Sequence, residues 1–177
     1  MARIPYFTAQ DAKTDPNKLA LLGKEPQMNI FKIVTHATYP IARKFITLPA
    51  SVLINGKVDP ILREMAIVRV GILCHSEYEV HQHLKVSRWV GMPEEKIAAL
   101  TVGSTATVFS EVECLVLRFT EEMVQYYKVS DKTFNALSKH FSHEELVELS
   151  IAVGCYMMIS IFLNTFEVDI EDQPLIP

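Results

Sequence analysis

Cysteine, positive charge and long apolar runs are all in short supply in this chain of 177 residues. Its three cysteines, Cys74, Cys114 and Cys155, are odd in number and widely spaced, with no CxxC pair and no Cys/His cluster of zinc-finger type. A disulfide framework and a structural zinc site are therefore not expected, and the pattern suits a reducing compartment. Lys and Arg total 17 against 21 Asp and Glu, a formal charge of -4. No basic field is present to hold a phosphate backbone or an anionic lipid surface, so neither nucleic acid nor a membrane is an expected partner. The longest apolar run, residues 151–163, falls short of the roughly 20 residues a membrane-spanning helix needs and reads as a buried core helix. The opening MARIPYFTAQDAK has no apolar stretch behind a positive start, as a secretory signal would. A cytoplasmic location is the expectation.

What is present is an ordinary globular composition, 49% hydrophobic and 21% charged, which excludes disorder. The length supports one domain. Residues 1–28, with Pro5, Pro16 and Pro26 among polar residues, read as an amino-terminal arm; 29–167 read as a helical domain and 168–177 as a carboxyl-terminal tail.

Strand-like alternation is absent, and helical periodicity is not. Ile30, Phe31, Val34, Ala37, Ile41 and Phe45 recur at spacings of three and four, predicting an amphipathic helix over 29–45 that Pro40 kinks or interrupts. A short helix is expected at 49–53. Pro60 opens a helix over 60–74 that is apolar on nearly all sides after Glu64, Arg69 excepted, and hence buried. A second helix over 77–90, closed by Gly91, completes a hairpin with it. Ser76-x-x-Glu79, Ser110-x-x-Glu113 and Ser142-x-x-Glu145 have capping-box spacing and place helix starts at 77, 111 and 143. Shorter helices are expected near 93–101 and 130–141. The fold class is all-α, a helical bundle around the buried hairpin.

Within that hairpin, Glu64, Arg69, Cys74, His75, Ser76, Tyr78, Glu79, His81 and His83 put many polar and titratable groups beside a very apolar helix, where they are costly without partners. Glu79 and His83 are four residues apart, share a helix face and can meet. Either the carboxylate orients the imidazole for proton transfer near neutral pH, or Glu79 completes the Ser76 capping box while His83 is an ordinary histidine. Glu79, His83 and Glu64 do not match a known metal-ligand spacing, and no metal is expected. Arg69 requires a carboxylate, either a structural partner such as Glu64 or Glu79 or that of a substrate. Trp89, Tyr126, Tyr127, Tyr156 and the Met157–Met158 pair read first as core, although they could line an apolar pocket.

The stretch LREMAIVRVGILCHSEYEVHQHLKVSRWVGMPEEKIAAL resembles the signature hairpin of the carboxymuconolactone decarboxylase / alkylhydroperoxidase D superfamily. RIPYFT, NIFKIV and ELVELSIAVGCYMMISIFLNTFEVDIE resemble its other parts, so the likeness covers nearly the whole chain. The peroxidase branch carries Glu-x11-Cys-x2-Cys-x3-His. Counted back from His83, its cysteine positions fall on Glu79 and Ser76 and its glutamate on Glu64, so the redox cysteines are missing. The resemblance then implies the decarboxylase branch: a cofactor-free lyase or isomerase in which His83, Glu79 and Glu64 are catalytic and transfer protons to a small unsaturated keto-acid, lactone or aromatic acid. Arg69, Ser76, Tyr78 and Tyr156 stand as substrate-binding candidates, with Arg69 or Arg63 as the cation for the carboxylate. Met157 and Ile161 replace an Asn and an Arg usual in such members, which points to a less polar substrate. Trimers or hexamers are implied. Alternatives are hydroperoxide reduction, a peroxiredoxin-like activity, through Cys74, and a non-catalytic small-molecule-binding or assembly protein.

Overall fold

The structure is a computed structural model that describes residues 1–13, 15–22 and 27–171. Pro26 of the arm and residues 172–177 of the tail lie outside the described residues. Among the described residues the secondary structure is all helical, with no strand: α1 Pro16–Leu22, α2 Asn29–Val34, α3 Tyr39–Asn55, α4 Pro60–Leu73, α5 Glu77–Trp89, α6 Glu94–Ala99, α7 Glu111–Tyr126, α8 Asp131–Leu137 and α9 His143–Phe166.

Helix α4 is the axis of the bundle, with α5, α7 and α9 packed around it. Its start is set by Asp59, whose Oδ1 accepts from the amides of Ile61 (2.9 Å) and Leu62 (3.1 Å), with Pro60 in the first turn where no N–H is needed. Nothing along its middle faces water, for Arg63 to Gly71 are all buried. On one side Ile67 and Val70 pack with Val116 and Phe119 of α7 and with Leu149, Val153 and Ile159 of α9. On the other, Met65 and Val68 join Met92, Ile97, Leu100 and Phe109. Each such side chain contributes roughly 1.5–3 kcal/mol by leaving water.

The turn of the hairpin is tight. His75 adopts a left-handed conformation (φ 53°), and a Cβ on Gly71 would stand 3.0 Å from Val80 Cγ2 and 3.3 Å from Glu79 Cβ. Close approach of α4 and α5 at this level therefore depends on glycine. The capping boxes predicted at Ser110 and Ser142 both form.

Three expectations are refined. The helix over 29–45 is interrupted, the second of the outcomes expected at Pro40: α2 ends at Val34, and Pro40 occupies the first turn of α3, which continues past 45 to Asn55. The separate helix at 49–53 is the continuation of α3, which holds Pro49 in its interior; α3 buries only Ala42, so the carbonyl orphaned by proline lies in a surface helix near water. The apolar run at 151–163 lies in α9 and packs into the core as expected, with Ala152, Val153, Tyr156, Ile159 and Leu163 buried, but the whole helix of 24 residues is long and apolar enough to cross a membrane by length and composition, and half of its apolar window is buried within the bundle.

The amino-terminal segment lies against the end of the chain. Arg3 N donates to Phe166 O (2.9 Å), Ala2 N and Tyr6 Oη to Asp169 Oδ2 (3.0 and 2.9 Å), and Phe7 N to Lys32 O (3.1 Å).

Candidate active site

The two helices of the hairpin bring three titratable side chains together inside the bundle. Glu64 on α4 is fully buried, and His83 and Glu79 on α5 are 7% and 5% exposed. His83 Nδ1 stands 2.7 Å from Glu64 Oε2, and His83 Nε2 faces Glu79 Oε2 at 3.5 Å. Tyr156 of α9 meets the imidazole edge to face, with ring centroids 4.8 Å apart at 85°. The Ser87 hydroxyl donates to the His83 carbonyl (2.7 Å). The ring is thus fixed by two carboxylates and an aromatic face. With Nδ1–H donating to Glu64, Nε2 is the nitrogen that can exchange a proton.

Burial pushes the Glu79 carboxyl above the usual carboxylate range; the His83 charge pulls it down, Glu64 pushes it further up, and the net shift is upward. For His83, burial pulls the pKa down, but the Glu64 hydrogen bond and the charges of Glu64 and Glu79 outweigh burial and the Arg63 charge, so the net shift is upward. Glu79 and His83 both retain protons more firmly than they do in water.

Several buried polar atoms here have no hydrogen-bond partner among the described residues: Glu64 Oε1, Glu79 Oε2, Ser76 Oγ and Arg63 Nε. Such atoms are costly in a core and gather where a ligand or reacting group is to be met. Arg63, 6% exposed, has as its ion-pair partner Glu64 Oε1 at 3.7 Å. It also lines two cavities. A 230 Å³ pocket lies between α3 and α9, walled by Leu48, Val52, Val58, Leu149 and Ala152 with Glu148 at its edge. A 780 Å³ groove lies between α3, the start of α4 and the end of α5, walled by Leu53, Ile54, Pro60, Val86 and Trp89.

The predicted residues divide. Glu64, Glu79, His83 and Tyr156 come together. The Ser76–Glu79 capping box does not form: Ser76 makes no side-chain cap bond, and the Glu79 carboxylate faces His83 instead. Arg69 is elsewhere: its Nε and Nη2 each lie 2.9 Å from Glu121 Oε1, and Nη1 donates to the carbonyls of Leu100 (3.0 Å) and Thr101 (2.9 Å). It clamps α4, the loop after α6, and α7 together, which leaves it no free edge for a substrate. Tyr78 Oη donates to Glu171 Oε1 (2.5 Å), and Gln82 donates to the same carboxylate, so both face the carboxyl-terminal segment. Trp89, Tyr126 and Tyr127, expected in the core, are 81%, 69% and 84% exposed. Ile161 is 60% exposed, and neither it nor Met157 lines the two cavities that meet at Arg63. The residue underweighted by sequence reasoning is Arg63, whose signal is only that it precedes Glu64 on an otherwise apolar helix.

Comparison with known proteins agrees with this architecture. The carboxymuconolactone decarboxylase family model matches residues 40–122, a span that contains Arg63, Glu64, Glu79 and His83. The alkylhydroperoxidase AhpD core structure of an uncharacterized peroxidase-related protein from Ralstonia eutropha JMP134 superimposes with a TM-score of 0.80 at 18% identity, covering 97% of this chain and 93% of that one. A cysteine-to-alanine variant of the debrominase Bmp8, in complex with 2,3,4-tribromopyrrole, gives a TM-score of 0.76 at 14% identity, covering 97% and 95%. These likenesses define an AhpD-like helical fold. Residues 40–122 thus match the carboxymuconolactone decarboxylase family, and the chain shares its fold with AhpD-like structures. In sequence it is 25% identical over 125 residues to the uncharacterized protein YnjA of Escherichia coli (strain K12), covering 70% of this chain and 68% of that one.

Proposed function

We propose that the protein is a cofactor-free lyase or isomerase that moves protons on a small unsaturated keto-acid, lactone or aromatic acid, with His83 as the acid–base group. The observation that carries this reading is the buried imidazole held between Glu64 at 2.7 Å and Glu79 at 3.5 Å. In a decarboxylation, the bond to the carboxylate breaks, its electron pair enters the conjugated carbonyl system, CO2 leaves, and a proton must reach the dienolate carbon. His83 Nε2–H supplies that proton, Glu64 stabilises the imidazolium before transfer, and Glu79 returns a proton to Nε2 from solvent. In an isomerisation the same nitrogen takes a proton from one carbon and returns it to another.

Thiol chemistry finds less support. Ser76 and Glu79 stand where two cysteines would be needed for it, and burial pushes the Cys74 thiol up and the Cys155 thiol to about 11, with the Glu79 charge adding to the second. Thiolate, the reactive form, is scarce at neutral pH for both. The debrominase and peroxidase names belong to the similar structures.

The reading includes a cytoplasmic homo-oligomer. Val147, Ile151, Gly154, Met158 and Ile161 recur every three or four residues along α9 and form an exposed apolar stripe suited to a second copy.

The test is CO2 release and isomer formation across a panel of unsaturated keto-acids and lactones. His83→Ala is expected to lower kcat on any active substrate by about 10²–10⁴-fold. Unchanged turnover in that variant overturns the reading.

A further inference from the structure

Arg63 is a guanidinium nine-tenths buried whose Nε has no hydrogen-bond partner among the described residues, and its ion pair with Glu64 is long at 3.7 Å. The short side of that carboxylate is already committed, for Glu64 Oε2 is the atom at 2.7 Å from His83. A buried guanidinium held this loosely still has donors to offer, and its planar fork matches a carboxylate with two parallel hydrogen bonds.

The surroundings select what such a carboxylate can be attached to. Among the described residues, Arg63 is the one ionisable side chain lining the 780 Å³ groove, and the walls from Leu53, Ile54, Pro60, Val86 and Trp89 are apolar. The 230 Å³ pocket on the other side of Arg63 carries Glu148, whose Oε2 accepts from Lys57 N and which repels a second carboxylate. The groove is therefore the side that an anion with an apolar body enters.

We propose that Arg63 anchors the carboxylate of a monocarboxylic acid whose apolar body lies in the groove between α3, the start of α4 and the end of α5. As a binding site this stands on geometry alone; as a substrate site it rests on the acid–base reading of His83. Glu64 then links the two functions, since one of its oxygens faces the cation that binds the acid and the other the imidazole that moves the proton. A dicarboxylate or a sugar acid is a poor fit, because the groove offers no second cation among the described residues and few polar atoms to a second charge.

Octanoate and its neutral counterpart octanamide are suitable probes, and Trp89, the single tryptophan of the chain, lines the groove as a reporter. By calorimetry, the wild type is expected to bind octanoate at least tenfold more tightly than octanamide. Arg63→Met removes that preference while leaving octanamide affinity within about twofold, and Arg63→Lys keeps part of it. In the unmodified protein 8-bromooctanoate quenches Trp89 fluorescence beyond octanoate itself, a readout that stands even if the Arg63 variants fold poorly. Equal affinity for the two probes, a preference that survives in Arg63→Met, or absence of bromine quenching overturns the proposal. Failure to bind together with Trp89 emission that shifts to the red on dilution overturns it in favour of a second copy covering the groove. Failure of the acid–base reading shows separately, as turnover indifferent to His83→Ala, whereas failure here shows as binding indifferent to Arg63.

Discussion

Glu64 Oε2 and His83 Nδ1 lie 2.7 Å apart across the hairpin, joining α4 to α5 from positions 19 residues apart. Each group satisfies the other in a place where neither could remain alone. Removing one partner of such a buried pair leaves the other uncompensated, which costs about 3–5 kcal/mol. Glu64→Ala is accordingly expected to destabilise the protein by about that amount in urea unfolding, and more than Glu79→Ala does. Equal losses from the two variants would show that the short contact is not the dominant one.

The pH dependence of stability follows from Glu79 and His83, both of which hold a proton more tightly folded than unfolded. The His83 contribution is fully present below its ordinary value near 6.5 and is lost as pH rises through the raised folded value. Glu79 has the same sign, since above the ordinary carboxylate range the unfolded chain ionises it freely while the folded site resists. Thermal unfolding of Glu79→Gln, which keeps the neutral form at all pH values, should gain on the wild type as pH rises above the ordinary carboxylate range. A gap that is constant or shrinks over that rise contradicts the assignment.

Arg69 predicts a structural phenotype. Gly103 lies beside it at φ 84°, and a Cβ there would collide with Arg69 Nη2 and Glu121 Oε1. Gly103→Ala should destabilise by about 2–3 kcal/mol through left-handed strain and displacement of the clamp. Arg69→Met should do so to a similar extent. Neither should change the preference for octanoate over octanamide.

Tyr78→Phe separates a structural from a substrate role. The lost hydrogen bond to Glu171 should cost about 1 kcal/mol in denaturation, with kcat and KM on an active substrate unchanged. A raised KM would return Tyr78 to the substrate site.

Cys74 should behave as an unactivated thiol. Its pKa, raised by burial, predicts iodoacetamide labelling at neutral pH slower than that of free cysteine. Reduction of tert-butyl hydroperoxide by a dithiol should be the same in the wild type and in Cys74→Ser.

The sequence is most readable where the information is local. The Ser110 and Ser142 capping boxes, Pro60 at a helix start and the apolar periodicity of α4, α7 and α9 depend on neighbours three or four residues away, and those elements lie within a few residues of their expected limits. The Glu79–His83 encounter is visible for the same reason. The partners that decide the site are not local: Glu64 to His83, and Arg69 to Glu121 at a separation of 52 residues, are set by how the helices cross. Resemblance supplies Glu64, but nothing in the residues separates Arg63 from Arg69, since both sit on a helix that is buried on all sides. Ser76–Glu79 shows the opposite hazard, one local pattern displaced by another, since the Glu79 carboxylate faces His83 four residues along the same helix. Pro40 is ambiguous because the same ring that breaks a helix also starts one.

The absent cap at Ser76 bears on how this site could change over generations. Ser76 Oγ holds no hydrogen bond among the described residues, so replacing Ser76 orphans no second group, whereas replacing Glu79 removes the carboxylate that faces His83 Nε2 at 3.5 Å. Cysteine at position 76 should therefore be tolerated with little loss of stability, while cysteine at position 79 gives up the carboxylate beside His83. The two positions are therefore unequal, and a change at 76 is the less costly first step.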